Sequence, residues 1–217
     1  MRRIQTSVSD LGLRWDDLDI AIWPGVILSE TPDILTWAID NQYIQRPRIP
    51  GNMGNLGAGL AHITLWHNVS QRPSNEIVFV MEDNCIFTRE SLGAIDHFSQ
   101  YEFDFFNLAV DRPDGTPTSE PGVLRMFNNR WEHETWFHQV PNVWLSSYMI
   151  TPHGARKLLQ EMKRIRCDIS TDTQIIDQCL VIAMHSSTDY IGYVVNHHRY
   201  FGHLQTWQDS RVEYNTG

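Results

Sequence analysis

Length, composition and charge already exclude several classes of protein. The chain has 217 residues, of which 41% are hydrophobic and 20% charged. This composition is typical of a globular protein and excludes intrinsic disorder, collagen-like repeats and coiled coil. The 26 Asp and Glu against 17 Lys and Arg give a formal net charge of −9, so we expect no nucleic-acid partner. The length suits one domain, which we expect over residues 1–217.

The sequence offers no signal for a membrane or an oxidising compartment. No stretch approaches the roughly 18 consecutive apolar residues of a membrane span. The first ten residues, MRRIQTSVSD, begin basic and turn polar where a signal peptide needs an apolar stretch. The cysteines are Cys85, Cys167 and Cys179, an odd number without the short spacing of a metal site. These features predict a cytoplasmic protein without a membrane span.

The first well-marked elements are a helix and a buried strand. Apolar residues and one histidine recur at three- and four-residue spacing and predict the helix: Leu56, Leu60, Ile63 and His67. Residues 77–81 (IVFVM) then form an uninterrupted apolar run that is rich in β-branched and aromatic residues. Such a run is typical of a strand covered on both faces, as in a parallel sheet.

Helical and extended patterns continue to alternate along the chain. Further strands are predicted at residues 104–110, 143–150 and 190–195. Thr151 and Pro152 are the residue types of a helix N-cap and first helical position, and the segment after them becomes basic towards its end. Helices between buried strands indicate an α/β domain with a mixed, mostly parallel central sheet. In open sheets of this kind, ligands bind beyond the carboxyl ends of the strands.

An acidic motif follows the apolar run at residues 77–81. Glu82 and Asp83 come directly after it, and Asn84 is next. Two carboxylates at this point cost free energy if they are buried and unpaired. Either they face a crevice and a cation, or they cap the next turn or pair with an arginine. Mg²⁺ and Mn²⁺ accept one or two protein carboxylates and leave coordination positions for substrate phosphates.

Three segments, in order, resemble glycosyltransferase family 25, which includes lipooligosaccharide and collagen galactosyltransferases. Residues 57–66 (GAGLAHITLW) are similar to a Gly-x-x-x-Ser-His segment followed by an apolar residue and Trp. Residues 77–84 (IVFVMEDN) resemble an apolar strand that ends in Glu-Asp-Asp. Residues 147–159 (SYMITPHGARKLL) resemble a segment with Tyr, an aliphatic residue, Ser or Thr, Gly-Ala and Leu-Leu. The similarity extends roughly over residues 50–180.

The resemblance implies a fold and a reaction. The implied fold is the GT-A type, and the implied activity is that of a metal-dependent hexosyltransferase. Its donor is a UDP-sugar carrying galactose or glucose, and its acceptor is a glycan or a hydroxylated protein side chain. Its cofactor is Mn²⁺ (or Mg²⁺), which makes the diphosphate a better leaving group.

The resemblance also implies roles for individual residues. The donor-binding residues would be Gly57, His62, Glu82 and Asp83. The metal ligands would be Asp83, Asn84 and His203, where His203 is chosen because it follows Gly202 in a predicted loop. The catalytic base, or the partner of the acceptor hydroxyl, would be Asp172 or Asp177. Tyr148 could offer its ring to a sugar, although we expect it in the core.

The chain departs from the family pattern in three places. Asn84 stands where a second Asp is expected, and its amide oxygen brings no charge to a cation. Ala61 replaces the Ser that precedes the motif's histidine. We expect the family's opening strand, with Ile-Asn-Leu and a following Arg, to be absent from this chain. A second hypothesis is therefore a catalytically inactive sugar- or nucleotide-binding module derived from such an enzyme.

Overall fold

The structure is a computed structural model, and it describes most of the residues that flank the predicted site. The described residues are 2–17, 19–45, 53–83, 85–110, 113–126, 145–165, 179, 183, 187, 189–196 and 201–203.

Helices and strands alternate along the described residues, so the predicted α/β class is confirmed. The helices are α1 (Arg2–Asp10), α2 (Pro32–Asp40), α3 (Met53–Ser70), α4 (Arg89–Phe98) and α5 (Pro152–Ile165). The strands are β1 (Val78–Met81), β2 (Cys85–Phe87), β3 (Phe105–Val110), β4 (Thr116–Pro117), β5 (Val123–Arg125), β6 (Ser147–Ile150), β7 (Gly192–Asn196) and β8 (Phe201–His203).

The central sheet is mixed, and most of its strand pairs are antiparallel. Within the described residues its strand order is β1-β6-β3-β7-β5-β4. Among the described strands, β3 and β7 form the one parallel pair, whereas β6 runs antiparallel to β1 and β3, and β5 runs antiparallel to β7 and β4. The prediction of a mostly parallel sheet is therefore wrong. An apolar run indicates that a strand is covered by helices, but it carries no information about the direction of the neighbouring strand.

The register of β6 nevertheless brings several strand ends to one edge. Ile150 lies opposite Val78 of β1 and opposite Phe105 of β3, so β1 and β3 run in the same direction. Strand β7 runs parallel to β3. The carboxyl ends of β1, β3 and β7 therefore lie at the same edge, which we call the carboxyl edge. The acidic motif follows β1 at this edge, as the strand prediction implied.

Two hydrophobic clusters hold the sheet between helices. Successive residues of β6 point to opposite faces, as in any strand. One face packs against α3 and α5, in a cluster that includes Leu60, Ile63, Trp66, Tyr148, Ile150, Leu158 and Met162. The other face packs against α4, in a cluster that includes Phe98, Phe106, Leu108, Met149 and Val195. This packing fixes α3 and β6 against each other beside the carboxyl edge.

Strand β1 is less buried than the sequence indicates. Its residues, Val78–Met81, are all half-buried, whereas every residue of β6 is buried. Strand β1 forms one end of the described sheet. The strand predicted at residues 77–81 is thus confirmed in position but not in its full coverage, because an apolar run does not distinguish an edge strand from a central one.

The start of α5 confirms the predicted cap and shows why a glycine follows it. The Thr151 side-chain oxygen accepts a hydrogen bond from the Gly154 backbone N–H at 2.9 Å. Gly154 lies against the backbone of Asp104, where a Cβ would overlap the Asp104 carbonyl oxygen. The absence of a side chain at Gly154 therefore lets α5 approach β3 closely.

We expect Gly154→Ala to destabilise the protein by about 1–3 kcal/mol, because the backbone of α5 must move away from Asp104. Urea unfolding followed by circular dichroism measures the change. The matched control is Gly93→Ala in α4, where a Cβ meets no atom within 4 Å and alanine favours the helix. Equal stabilities of the two variants would contradict this interpretation.

Candidate active site

The acidic motif forms a short turn at the carboxyl edge. The Glu82 backbone N–H donates to the Ser146 carbonyl at 2.8 Å, which continues the pairing of β1 with β6. The Cys85 backbone N–H donates to the Glu82 carbonyl at 3.1 Å and closes the turn. The Asp83 side chain is exposed, and 37% of the Glu82 side chain is exposed. Both carboxylates therefore reach the surface at the edge where ligands bind in open α/β sheets.

Helix α3 brings His62 to this turn. His62 is buried, with 8% exposure, and its Nε2 lies 3.6 Å from Oε1 of Glu82. The separation allows an electrostatic contact and is too long for a hydrogen bond. Leu60 and Ile63 on either side of His62 are fully buried, so the helix position is fixed by the core. The structure thus brings together two of the predicted donor-binding residues from separate segments.

Tyr148 connects the third segment to the same histidine. Its hydroxyl oxygen lies 2.9 Å from His62 Nδ1 and accepts a hydrogen bond from the indole N–H of Trp66 at 2.9 Å. The Tyr148 ring stacks on Phe105 at a centroid distance of 4.9 Å. Polar atoms of all three family-like segments therefore form one connected set, Trp66–Tyr148–His62–Glu82, which we call the buried polar chain.

Burial keeps the Tyr148 hydroxyl neutral. Complete removal from water raises the pKa of Tyr148 far above its ordinary value, and the nearby Glu82 carboxylate raises it further. The hydrogen bond from Trp66 acts in the opposite direction but does not compensate. The hydroxyl therefore keeps its proton across the physiological pH range.

The sequence predicted that Tyr148 lies in the core, but it did not reveal the polar contacts of Tyr148 and Trp66. Both are fully buried, so the core assignment itself is confirmed. A signal was available for Trp66, because it follows His62 by four residues and shares its face of α3. The contact of Tyr148 with His62 spans 86 positions in the chain and leaves no such local signal.

Gly57 has a packing role that the sequence did not indicate. It is buried in α3, and a Cβ at this position would overlap the backbone oxygen of Val26. Gly57 therefore allows the segment before α2 to lie directly on α3. Its predicted contact with a donor stays a prediction.

His203 lies in a strand and not in the predicted loop. Strand β8 pairs antiparallel with β2, and the backbone of His203 lies opposite Cys85. The prediction of a loop is wrong because the backbone after Gly202 continues an extended ladder with β2. The His203 backbone therefore lies opposite a residue that follows Asp83 by two positions in the chain. The side chain of His203, and the predicted residues Asn84, Asp172 and Asp177, lie outside what the structure describes.

A family model matches the part of the chain that contains this arrangement. The sequence model described as "Glycosyltransferase family 25 (LPS biosynthesis protein)" matches residues 41–175, more than half of the chain. The chain belongs to glycosyltransferase family 25. No curated protein gives a significant match to the sequence. The matched residues include α3, the acidic motif and β6, and therefore all four members of the buried polar chain.

The family 25 domain has no complete metal cage among its described residues. No group of three or more His, Cys, Asp and Glu side chains there could hold a metal ion. Asp83 offers an exposed carboxylate of the type that Mg²⁺ and Mn²⁺ bind together with substrate phosphates. The carboxylate oxygens of Asp83 at the carboxyl edge thus fit a cation that is also coordinated by a diphosphate. The metal-ligand roles of Asp83, Asn84 and His203 stay predictions.

The described helices give no membrane-crossing candidate either, since none combines the length and the hydropathy that a span requires.

Cys85 is a core residue. It is 1% exposed, and its thiol donates to the Ser146 carbonyl at 3.0 Å. Burial raises the pKa of Cys85 above its ordinary range, and the negative charges of Glu82 and Asp83 raise it further. The thiol therefore stays protonated and has no nucleophilic role at neutral pH.

We expect Cys85 to resist alkylation by iodoacetamide in the folded protein at pH 8, because the raised pKa leaves much less thiolate than in a free cysteine. The same peptide should be modified rapidly in urea. Peptide mass spectrometry measures both rates. Modification of Cys85 at the same rate in folded and unfolded protein would contradict both the burial of its thiol and the rise in its pKa.

Proposed function

We propose that this family 25 domain transfers galactose or glucose from a UDP-sugar to a glycan or to a hydroxylated protein side chain. The observation that carries the proposal is the junction of His62 with the Glu82–Asp83 turn at the carboxyl edge, since three family-like segments meet there. The family description refers to LPS biosynthesis, which favours a lipopolysaccharide glycan as the acceptor.

Each residue has a distinct task in this reaction. A bound Mn²⁺ or Mg²⁺ supplies positive charge that stabilises the departing UDP diphosphate. Asp83 would hold that cation through its exposed carboxylate, and the amide oxygen of Asn84 and a nitrogen of His203 would be further ligands. Glu82 is held by His62 and contacts the donor. Asp172 or Asp177 accepts the proton of the attacking acceptor hydroxyl.

The experiment is a donor assay with purified protein and UDP-galactose or UDP-glucose. We expect release of UDP in the presence of Mn²⁺ or Mg²⁺, faster with a lipopolysaccharide acceptor, and loss of that release in EDTA. Other nucleotide sugars provide the control for donor specificity. Equal UDP release with and without EDTA would overturn the metal part of the proposal, and absence of release with every donor would overturn the enzymatic part.

One observation favours the inactive binding module as a second candidate. Asn84 brings one negative charge fewer than the Asp that the family has at this position. A module of this kind would bind galactose or glucose in a calorimetric titration without UDP release and without any response to UDP or Mn²⁺. Binding that requires UDP and Mn²⁺ favours the transferase.

A further inference from the structure

The hydroxyl group of Tyr148 has two partners with different hydrogen-bonding capacity. The indole nitrogen of Trp66 can only donate, so its 2.9 Å contact occupies a lone pair of the Tyr148 oxygen. The single hydroxyl proton remains available for another acceptor. Within the described residues, the other partner of this hydroxyl is His62 Nδ1, also at 2.9 Å.

These two contacts determine the protonation of the histidine ring. A fully buried hydroxyl that did not donate its proton would lose a hydrogen bond to water without replacement. Tyr148 therefore donates to Nδ1 of His62, and that nitrogen carries no proton. A neutral imidazole with a bare Nδ1 carries its proton on Nε2.

The protonated nitrogen of His62 is the one that faces the acidic motif. Nε2 lies 3.6 Å from Oε1 of Glu82, whose side chain is partly exposed at the carboxyl edge. An Nε2–H attracts the carboxylate, whereas a bare Nε2 would present a lone pair and repel it. The tautomer of His62 thus decides whether this contact attracts the Glu82 carboxylate towards α3 or repels it.

We propose that Tyr148, with its hydroxyl oriented by Trp66, is a positioning residue that fixes His62 as the Nε2–H tautomer and thereby holds Glu82 at the donor site. The consequence for sugar transfer rests on the proposed function. The tautomer itself is a property of the folded protein and is independent of any activity.

The first experiment determines the tautomer by two-dimensional ¹H–¹⁵N NMR of the histidine rings, with the His62 signals assigned from their loss in His62→Gln. We expect a protonated Nε2 and a bare Nδ1 in the wild-type protein, and a mixture of tautomers in Tyr148→Phe, which keeps the ring stacked on Phe105. A protonated Nδ1 in the wild type, or an unchanged tautomer in Tyr148→Phe, overturns the proposal.

The chain provides a matched control on the same helix. The Tyr43 hydroxyl lies 3.3 Å from Nδ1 of His67, which is half-buried and five residues beyond His62 on α3. Tyr43→Phe therefore removes a tyrosine–histidine contact that does not lead to the acidic motif. We expect this variant to leave the His62 tautomer and the rate of UDP release unchanged.

The second experiment is a double-mutant cycle on UDP release. We expect Tyr148→Phe to lower kcat about tenfold through misplacement of Glu82, and to have little further effect in a Glu82→Gln background. If the effects of Tyr148→Phe and Glu82→Gln on kcat are additive, Tyr148 does not act through Glu82. That result would overturn its proposed role as a positioning residue. If the wild-type protein releases no UDP, the proposed function fails, and the NMR result still decides the tautomer.

Discussion

Replacement of Asp83 by Asn is expected to lower the rate of sugar transfer by roughly 100-fold, or about 3 kcal/mol in activation free energy, without unfolding the protein. Asp83 is the exposed carboxylate in the turn after β1, so its amide variant keeps the shape of the side chain and removes the charge that we propose as a cation ligand. The rate of UDP release, measured with saturating Mn²⁺ and either UDP-galactose or UDP-glucose, provides the test.

The control for this variant is Asp96→Asn, an exposed acid on α4 outside the acidic motif. It changes the net charge by the same amount and should leave the rate within about twofold, since an exposed charge that does not contact the substrate is screened by salt. Circular dichroism of both variants verifies the fold. A fully active Asp83→Asn protein would remove Asp83 from the mechanism.

The largest effect on stability is expected for Asp104→Ala. The carboxylate of Asp104 is buried, and it accepts hydrogen bonds from Lys157 Nζ at 3.0 Å and from the Ile191 backbone N–H at 2.8 Å. His153 Nδ1 lies 2.9 Å from its other oxygen. The carboxylate therefore links α5 to the starts of β3 and β7. Its removal leaves Lys157 and the Ile191 N–H without their buried partner and should cost about 3–5 kcal/mol.

Asp189→Ala is the matched control, because Asp189 also pairs with Lys157, at 3.3 Å, but with 71% of its side chain exposed. An exposed pair of this kind contributes about 1 kcal/mol or less. Urea unfolding of both variants gives their free energies of unfolding, with the same dependence of that free energy on urea concentration assumed for each. If Asp104→Ala and Asp189→Ala lower the free energy of unfolding by similar amounts, burial does not determine how much the Asp104 carboxylate contributes to stability.

Local sequence signals predicted the positions of the secondary-structure elements well and the directions of paired strands poorly. The strands at residues 104–110 and 190–195 and the cap at Thr151 are confirmed, because alternation, apolar runs and capping residues act over a few positions. Strand direction depends on which strands become neighbours. The position of β6 between β1 and β3 depends on contacts between segments that are distant in the sequence. The local sequence of β6 therefore does not predict it.

The candidate site could be predicted only in part for the same reason. The family resemblance named His62 and Glu82 together, and the structure brings them to 3.6 Å. It could not reveal that Tyr148 contacts the opposite side of the His62 ring and that Trp66 contacts Tyr148. A buried tyrosine in a core and one that donates to a histidine have the same sequence pattern. The pairing of β8 with β2, which determines the position of His203, joins segments more than 100 residues apart.

Calorimetric titration of UDP into the protein, with and without Mn²⁺, tests most directly whether the acidic motif receives a cation-bound diphosphate. We expect Mn²⁺ to tighten UDP binding at least tenfold in the wild type, about 1.4 kcal/mol, and to have no such effect in Asp83→Asn. UDP binding that is indifferent both to Mn²⁺ and to the loss of the Asp83 charge would contradict the assignment of this turn as the donor site.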